Sequence, residues 1–320
     1  MRAAGGTATS AAPRRPPSLL YGGRRPSARA ASTGSAFSSG DESDAGGAPA
    51  TAAAAAASAE RAEKYNALMR ARMDWRDPFS YNPDIGLYYH EVAPDVLVGT
   101  QPRGRREVDA LVDETGATTI LCLQEDRDAE HWGVDLGRVA RRAESRNVRH
   151  LRLPARDFDG ESLRRVLPAA AAMIDRELQG QRAERGEGGG AAKSGGGGGG
   201  RVYVHCTAGL GRAPAAAIAW RYWFGSGGGG GGDGGGAAAE AAPLVWSLDA
   251  EYDAVTRVRP CGPRREAIAG ATADLLRAAG LPAANGAADG SAGEEGATLT
   301  AEQRAAVQRE AKLALERRLS

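Results

Sequence analysis

The chain has 320 residues, 45 of them glycine, only 5% aromatic side chains and a formal net charge of +1. That balance argues against a general binder of nucleic acid or other polyanions, and no apolar run is long enough to cross a bilayer, so the mature protein is expected in solution with no membrane partner. The three cysteines, Cys122, Cys206 and Cys261, form neither a disulfide framework nor a C-x-x-C pair.

Residues 1–55 are rich in Arg, Ser, Ala and Pro, with no acidic residue before Asp41. This composition predicts an organelle transit peptide, plastid or mitochondrial, outside the fold; the alternative is a disordered tail. A single globular domain is expected over 60–280. It opens with a helix over 60–73, where Tyr65, Leu68 and Met69 recur at helical spacing. Residues 74–83 hold two prolines and form a loop that presents Phe79 and Tyr81. Short strands at 87–92 and 96–99 flank a Pro94-Asp95 turn, and a helix covers 105–114. A core strand at 118–123 leads into a polar loop, 124–133, carrying Trp132, and a helix at 134–146. The strand at 148–153 ends in Pro154-Ala155-Arg156-Asp157-Phe158-Asp159, and 168–178 is helical. Residues 186–200 and 225–236 are glycine-rich inserts, expected to be solvated spacers on the side of the sheet away from any functional rim. Closing helices at 244–258 and 264–277 flank Arg259-Pro260-Cys261-Gly262-Pro263. A linker at 281–299 precedes an amphipathic helix at 300–320, where Thr300 and Gln303 give an incomplete cap signal. Strands alternating with helices predict an α/β fold: a mainly parallel sheet with helices on both faces. The loops that begin near Gln124, Pro154 and Cys206 then share the rim at the strands' carboxyl ends.

The stretch from Val202 to Pro214 carries the chemistry. Val202-Tyr203-Val204-His205 reads as a buried strand, and Ala213 to Trp220 as a helix with proline in its first turn. Between them, Cys206 and Arg212 bracket Thr207, Ala208, Gly209, Leu210 and Gly211. Glycines let successive N–H groups turn inward on one anion, and the helix aims its positive end at the same point. Arg212 can clamp two oxygens of a tetrahedral dianion. The same field favours a thiolate, which makes Cys206 a nucleophile. A leaving alcohol needs a proton, and Asp157, just past a strand end, is the candidate acid, with Asp159 and Asp126 as alternatives. The loop has no lysine, which favours one phosphate on a neutral scaffold. Phe79, Tyr81, Trp132 and Phe158 all fall in predicted loops and offer faces for sugar rings, or they belong to the core. His205-Cys206 is an isolated pair without a second Cys/His pair at ligand spacing, so neither a metal nor another cofactor is expected.

The segment from His205-Cys206 through Ala213 resembles the glucan-phosphatase version of the dual-specificity phosphatase loop. Most dual-specificity enzymes carry Ser or Thr where this chain has Ala213. Further likenesses are Val98-Gly99-Thr100-Gln101-Pro102, Trp132-Gly133-Val134-Asp135, Asp157-Phe158-Asp159, Tyr222-Trp223-Phe224, Arg259 to Pro263 and Ala267 to Thr272. Together they resemble the plastid phosphoglucan phosphatases, over about 60–277. No carbohydrate-binding module is legible after the phosphatase region, which fits the like-Sex-Four-two type rather than the starch-excess type. The resemblance implies a dual-specificity phosphatase fold and removal of phosphate monoesters, mainly from glucose C3 of starch, through a phosphocysteine. It implies catalytic roles for Cys206, Arg212 and Asp157. It implies glucan contacts at Phe79, Tyr81, Trp132, Phe158 and Arg149, and at Pro260, Cys261 and Gly262. It further implies a place in the chloroplast stroma at the granule surface, and either a reversible Cys122–Cys206 disulfide or a Cys122 that is a buried core thiol; a monomer is expected. The competing readings are a dual-specificity protein phosphatase and a non-catalytic glucan-binding scaffold; the intact Cys206, Arg212 and Asp157 argue against the scaffold.

Overall fold

The computed structural model describes residues 52–72, 81–83, 86–184, 201–225, 246–284 and 297–320. Phe79, the insert at 186–200, residues 226–236 of the second insert and nearly all of the predicted transit segment lie outside the described residues.

Five strands form the central sheet: β1 (Tyr89–Ala93), β2 (Val96–Gly99), β3 (Ala117–Cys122), β4 (Arg149–Arg152) and β5 (Arg201–His205), in the order β1-β2-β5-β3-β4. β1 runs antiparallel to β2, and the remaining pairings are parallel. The expected α/β architecture is therefore present. β3 and β5 are apolar almost throughout because both faces are covered; Ile120, Leu121, Val202, Tyr203 and Val204 have no exposed surface.

Alternate residues of these strands point to opposite faces. Leu97, Ile120 and Tyr203 pack with Val108 and Leu111 of α2 (Arg105–Thr115), Val139 of α4 (Leu136–Ser145) and Ala62 and Met69 of α1 (Ala52–Arg72). Leu121, Val202 and Val204 belong to the other face. Their partners include Leu167 and Ile174 of α5 (Gly160–Glu184), Ile218 and Tyr222 of α6 (Arg212–Phe224), Ile268 of α8 (Arg265–Ala278) and Val307 of α9 (Ala301–Leu319).

Five elements depart from the sequence reading. α1 starts at Ala52, inside the stretch assigned to the transit peptide, because a run of alanine is the strongest helix former. The polar loop after Gln124 contains a short helix, α3 (Asp126–His131), closed by reciprocal capping between Glu125 and Asp128. α5 extends well beyond 168–178 and holds Pro168 in its interior; burial of Ala169 to Ile174 offsets the lost hydrogen bond. The helix predicted from 244 begins at Leu248 as α7 (Leu248–Val258), after a short strand, β6 (Trp246–Ser247). β6 pairs antiparallel with β7 (Thr298–Leu299), so the end of the predicted linker is a strand. At α9 the cap is complete: Thr300 Oγ1 accepts from Gln303 N, and Gln303 Oε1 accepts from Thr300 N.

Candidate active site

The loop between β5 and α6 is shaped from outside. Four of its carbonyls accept donors from other segments, and the fifth, Gly211 O, takes the first bond of α6. Thr207 O accepts from Gln101 N at 3.0 Å, Leu210 O from Gly262 N at 3.0 Å and Gly211 O from Ala215 N at 3.1 Å. The Arg259 guanidinium supplies the other two: Nε donates to Gly209 O at 2.7 Å and Nη2 to Ala208 O at 3.2 Å. Successive carbonyls pulled outward turn the alternating N–H groups inward, around Cys206. Gly209 has φ +67°, which a glycine adopts without strain. The helix α6 starts at Arg212 and directs its N-terminal end into the same concavity.

Arg212 is 3% exposed and is held by groups that follow β3, β4 and β5. Nη1 donates to Ala155 O at 2.8 Å and to Asp128 Oδ2 at 2.5 Å. Nη2 donates to Thr207 Oγ1 at 3.2 Å and lies 3.0 Å from Asp157 Oδ2. Burial opposes the guanidinium charge, but Asp157, Cys206 and Asp128 outweigh it, so its pKa is raised and the cation persists. Its Nε is buried and, among the described residues, has no hydrogen-bond partner. An anion oxygen arriving over Cys206 would satisfy that donor.

Asp157 is bound from two sides. Besides Arg212, Tyr65 Oη donates to Asp157 Oδ2 at 3.1 Å. Burial above all, then the Asp157 charge, pushes Tyr65 ionisation well above the usual phenol range, so it remains a donor. The next residue, Phe158, has φ +58°. Its N–H donates to Asp157 Oδ1 at 3.1 Å, a local bond that supports the strained turn.

Tyr65, Tyr81 and Trp132 pack edge to face, with centroids 5.0–5.8 Å apart, and Phe158 lies 5.7 Å from Tyr65. Tyr81 and Trp132 are 2% and 4% exposed, so most of each ring faces its neighbours. A buried polar chain runs behind them. Gln101 Nε2 donates to Tyr81 Oη at 2.8 Å, and Gln124 Nε2 donates to both Gln101 Oε1 (2.8 Å) and Thr207 Oγ1 (3.1 Å). The cleft above Asp157 and Thr207 has a volume of about 220 Å³; Tyr65, Asp128, His131, Trp132 and Phe158 also line it. A larger cleft of about 330 Å³, between α1 and Tyr81, does not reach the Cys206 loop.

The structure thus brings Cys206, Arg212, Asp157, Thr207 to Gly211, Tyr81, Trp132 and Phe158 to one rim. Arg149 is elsewhere. It starts β4, at the opposite end of the strand from the rim, and pairs with the buried carboxylate of Glu177, which also accepts from Thr119 Oγ1 at 3.0 Å. Pro260, Cys261 and Gly262 lie behind the loop, where the segment from Arg259 to Gly262 grips its backbone. Burial pushes the Cys261 thiol up to about 12 and the Cys122 thiol up to about 11, and all three cysteines are free. Sequence reasoning missed Tyr65, Asp128, Gln124 and the structural task of Arg259. Only Asp128 carried a local signal, as the third helical residue after Glu125.

No family model matches the chain. The named proteins similar to it include the following two. The amyloplastic phosphoglucan phosphatase DSP4 of Castanea sativa is 30% identical over 218 residues, which is 68% of this chain and 48% of that protein. The chloroplastic phosphoglucan phosphatase LSF1 of Arabidopsis thaliana is 28% identical over 197 residues, 62% of this chain and 27% of that protein. The chain therefore spans less than half the length of either relative. Among solved structures, the Yvh1 phosphatase domain from Chaetomium thermophilum is 22% identical, with a TM-score of 0.37 over 62% of this chain and 99% of its own. A 218-residue stretch in a chain of 320 necessarily includes Asp157 and the Cys206 loop. The part of this chain that carries the site is thus homologous to a protein named as a plastid phosphoglucan phosphatase.

Proposed function

We propose that this chain is a cysteine-dependent phosphatase that removes phosphate monoesters from starch glucans in the plastid, mainly at glucose C3, during starch breakdown. The carrying observation is the loop around a cysteine, four of whose carbonyls are held by Gln101, Arg259 and Gly262, with the buried Nε of Arg212 left to meet an anion. In the first step the Cys206 thiolate attacks phosphorus. The inward N–H groups and Arg212 hold the equatorial oxygens as the bond to the leaving sugar oxygen breaks. Phosphate in the loop displaces the Asp157 carboxylate from Arg212, and Asp157, protonated, gives its proton to the leaving oxygen. In the second step Asp157 takes a proton from water, which attacks the phosphocysteine and releases inorganic phosphate and the thiolate.

Several features support the glucan reading. Two similar proteins are named phosphoglucan phosphatases. The loop holds no lysine for a second phosphate. Aromatic side chains crowd the cleft wall. No helix among the described residues is long and apolar enough to cross a membrane. We read the enzyme as a monomer without nucleic-acid partners.

The test is release of phosphate from solubilised starch labelled separately at C3 and C6, beside a panel of phosphopeptides. Turnover of starch, greater at C3 and abolished in Cys206→Ser, is the expected result. Faster turnover of phosphopeptides would assign the chain to protein substrates. Absence of turnover of any substrate, including an aryl phosphate, would leave a glucan-binding scaffold.

A further inference from the structure

Three parallel strands bring together a second group of reactive side chains. Cys122 ends β3, His205 ends β5 and His150 lies within β4. Cys122 is level with His205 across the β3–β5 ladder, and His150 is level with Ile120, two residues before Cys122. Residues two apart on a strand share a face, so the three side chains emerge on one side of the sheet. One ring nitrogen of each histidine and Cys122 Sγ lie within 4.8 Å of one another.

The surroundings point to a ligand. Cys122 and His205 have no exposed surface. Nε2 of His205 and Nε2 of His150 are buried and, among the described residues, make no hydrogen bond. Buried nitrogens without partners ask for one. His205 Nδ1 lies 3.2 Å from the carbonyl oxygen of Cys206. With the proton on Nδ1 donated to that carbonyl, Nε2 keeps its lone pair, the arrangement by which a backbone carbonyl orients a metal-ligating imidazole.

We infer that Cys122, His150 and His205 form a binding site for one thiophilic monovalent cation, Cu(I). The charge balance selects it. The pocket is buried and already borders two cations: Arg212 Nη1 donates to Leu123 O at 3.4 Å and Arg152 Nη2 to Gln124 O at 3.2 Å, on the two residues after Cys122. On binding, the Cys122 S–H bond breaks, the S–Cu bond forms and the proton leaves to solvent, with no change in oxidation state. Thiolate and Cu(I) cancel, so a buried site whose neighbouring guanidiniums are already paired with carboxylates gains no net charge. Zn²⁺ would leave one positive charge there and calls for a fourth ligand. One thiolate and two imidazoles suit Cu(I). The site adjoins the nucleophile without using it.

The experiment uses the full chain, reduced and metal-free, with Cys206→Ser and Cys261→Ser so that Cys122 is the remaining thiol. Cu(I) is titrated against a chromophoric chelator, and Zn²⁺ is titrated separately. The expected result is one Cu(I) per chain, X-ray absorption showing one sulfur and two nitrogens at copper, and a metal-dependent rise in Tm. His150→Ala weakens binding by roughly 100-fold, the upper range for loss of groups around a metal, while His131→Ala leaves it unchanged. His150→Phe keeps a ring without a ligand atom and separates lost ligation from lost packing. No stoichiometric Cu(I), wild-type affinity in His150→Phe, or Zn²⁺ bound as tightly as Cu(I) would each overturn the assignment.

Discussion

A Cβ on Gly209 would lie 2.3 Å from the carbonyl oxygen of Gly99 and 2.6 Å from Arg259 Nη2, on a residue already at φ +67°. Gly209→Ala is therefore expected to lose at least about 2 kcal/mol of stability and nearly all turnover, measured by denaturant unfolding and phosphate release. Asp157 offers a sharper separation. Its proton matters in proportion to how poor the leaving group is. Asp157→Asn should slow release from a sugar phosphate by about 10²–10⁴ while sparing an activated aryl phosphate, whose phenolate leaves unaided. Tyr65→Phe keeps the ring packing and removes the bond to Asp157. Its expected signature is a shift in the pH profile of kcat at nearly unchanged Tm. An unmoved profile would show that Tyr65 only packs.

The segment following α7 is where one element governs another. Arg259 has no exposed surface and, among the described residues, no carboxylate partner; its charge is met by Gly209 O and Ala208 O, by His90 Nδ1 at 3.1 Å and by the Tyr88 ring. Burial first, then Arg259, lowers His90 to about 4 from an ordinary 6.5. A histidine held neutral in the fold stabilises it fully above the unfolded value, and the contribution fades as pH falls from 6.5 towards 4. In that window the unfolded chain binds the extra proton. Wild type should lose up to about 1.4 kcal/mol per pH unit more than His90→Gln there. Parallel unfolding curves for the two proteins would refute this. Much of the loop was legible in the sequence because its signals are local: a β-branched strand, two glycines and a proline-led helix within a few residues. What grips the loop was not, since Arg259 meets Gly209 across 50 positions and Tyr65 meets Asp157 across 92. The same holds for Cys122, His150 and His205, whose meeting depends on strand order rather than spacing. The helix α3 is too short to show a periodicity.

On the scale of the molecule, α1 lies over the cleft and closes one side of it with Tyr65. Removing 52–72 should raise KM for solubilised starch by roughly tenfold, equivalent to about 1.4 kcal/mol of binding. Small aryl phosphates, which need only the Cys206 loop, should keep most of their kcat/KM. Equal losses for both substrates would mean that α1 supports the loop instead. The grip on the loop carbonyls has one more consequence. The nucleophile is made first, yet the guanidinium that curls its cradle arrives some fifty residues later along the chain. On the proposed mechanism, a ribosome-bound or truncated polypeptide that stops short of residue 259 would own every reacting atom and still be silent, so turnover begins only once the segment around Arg259 has closed behind the loop.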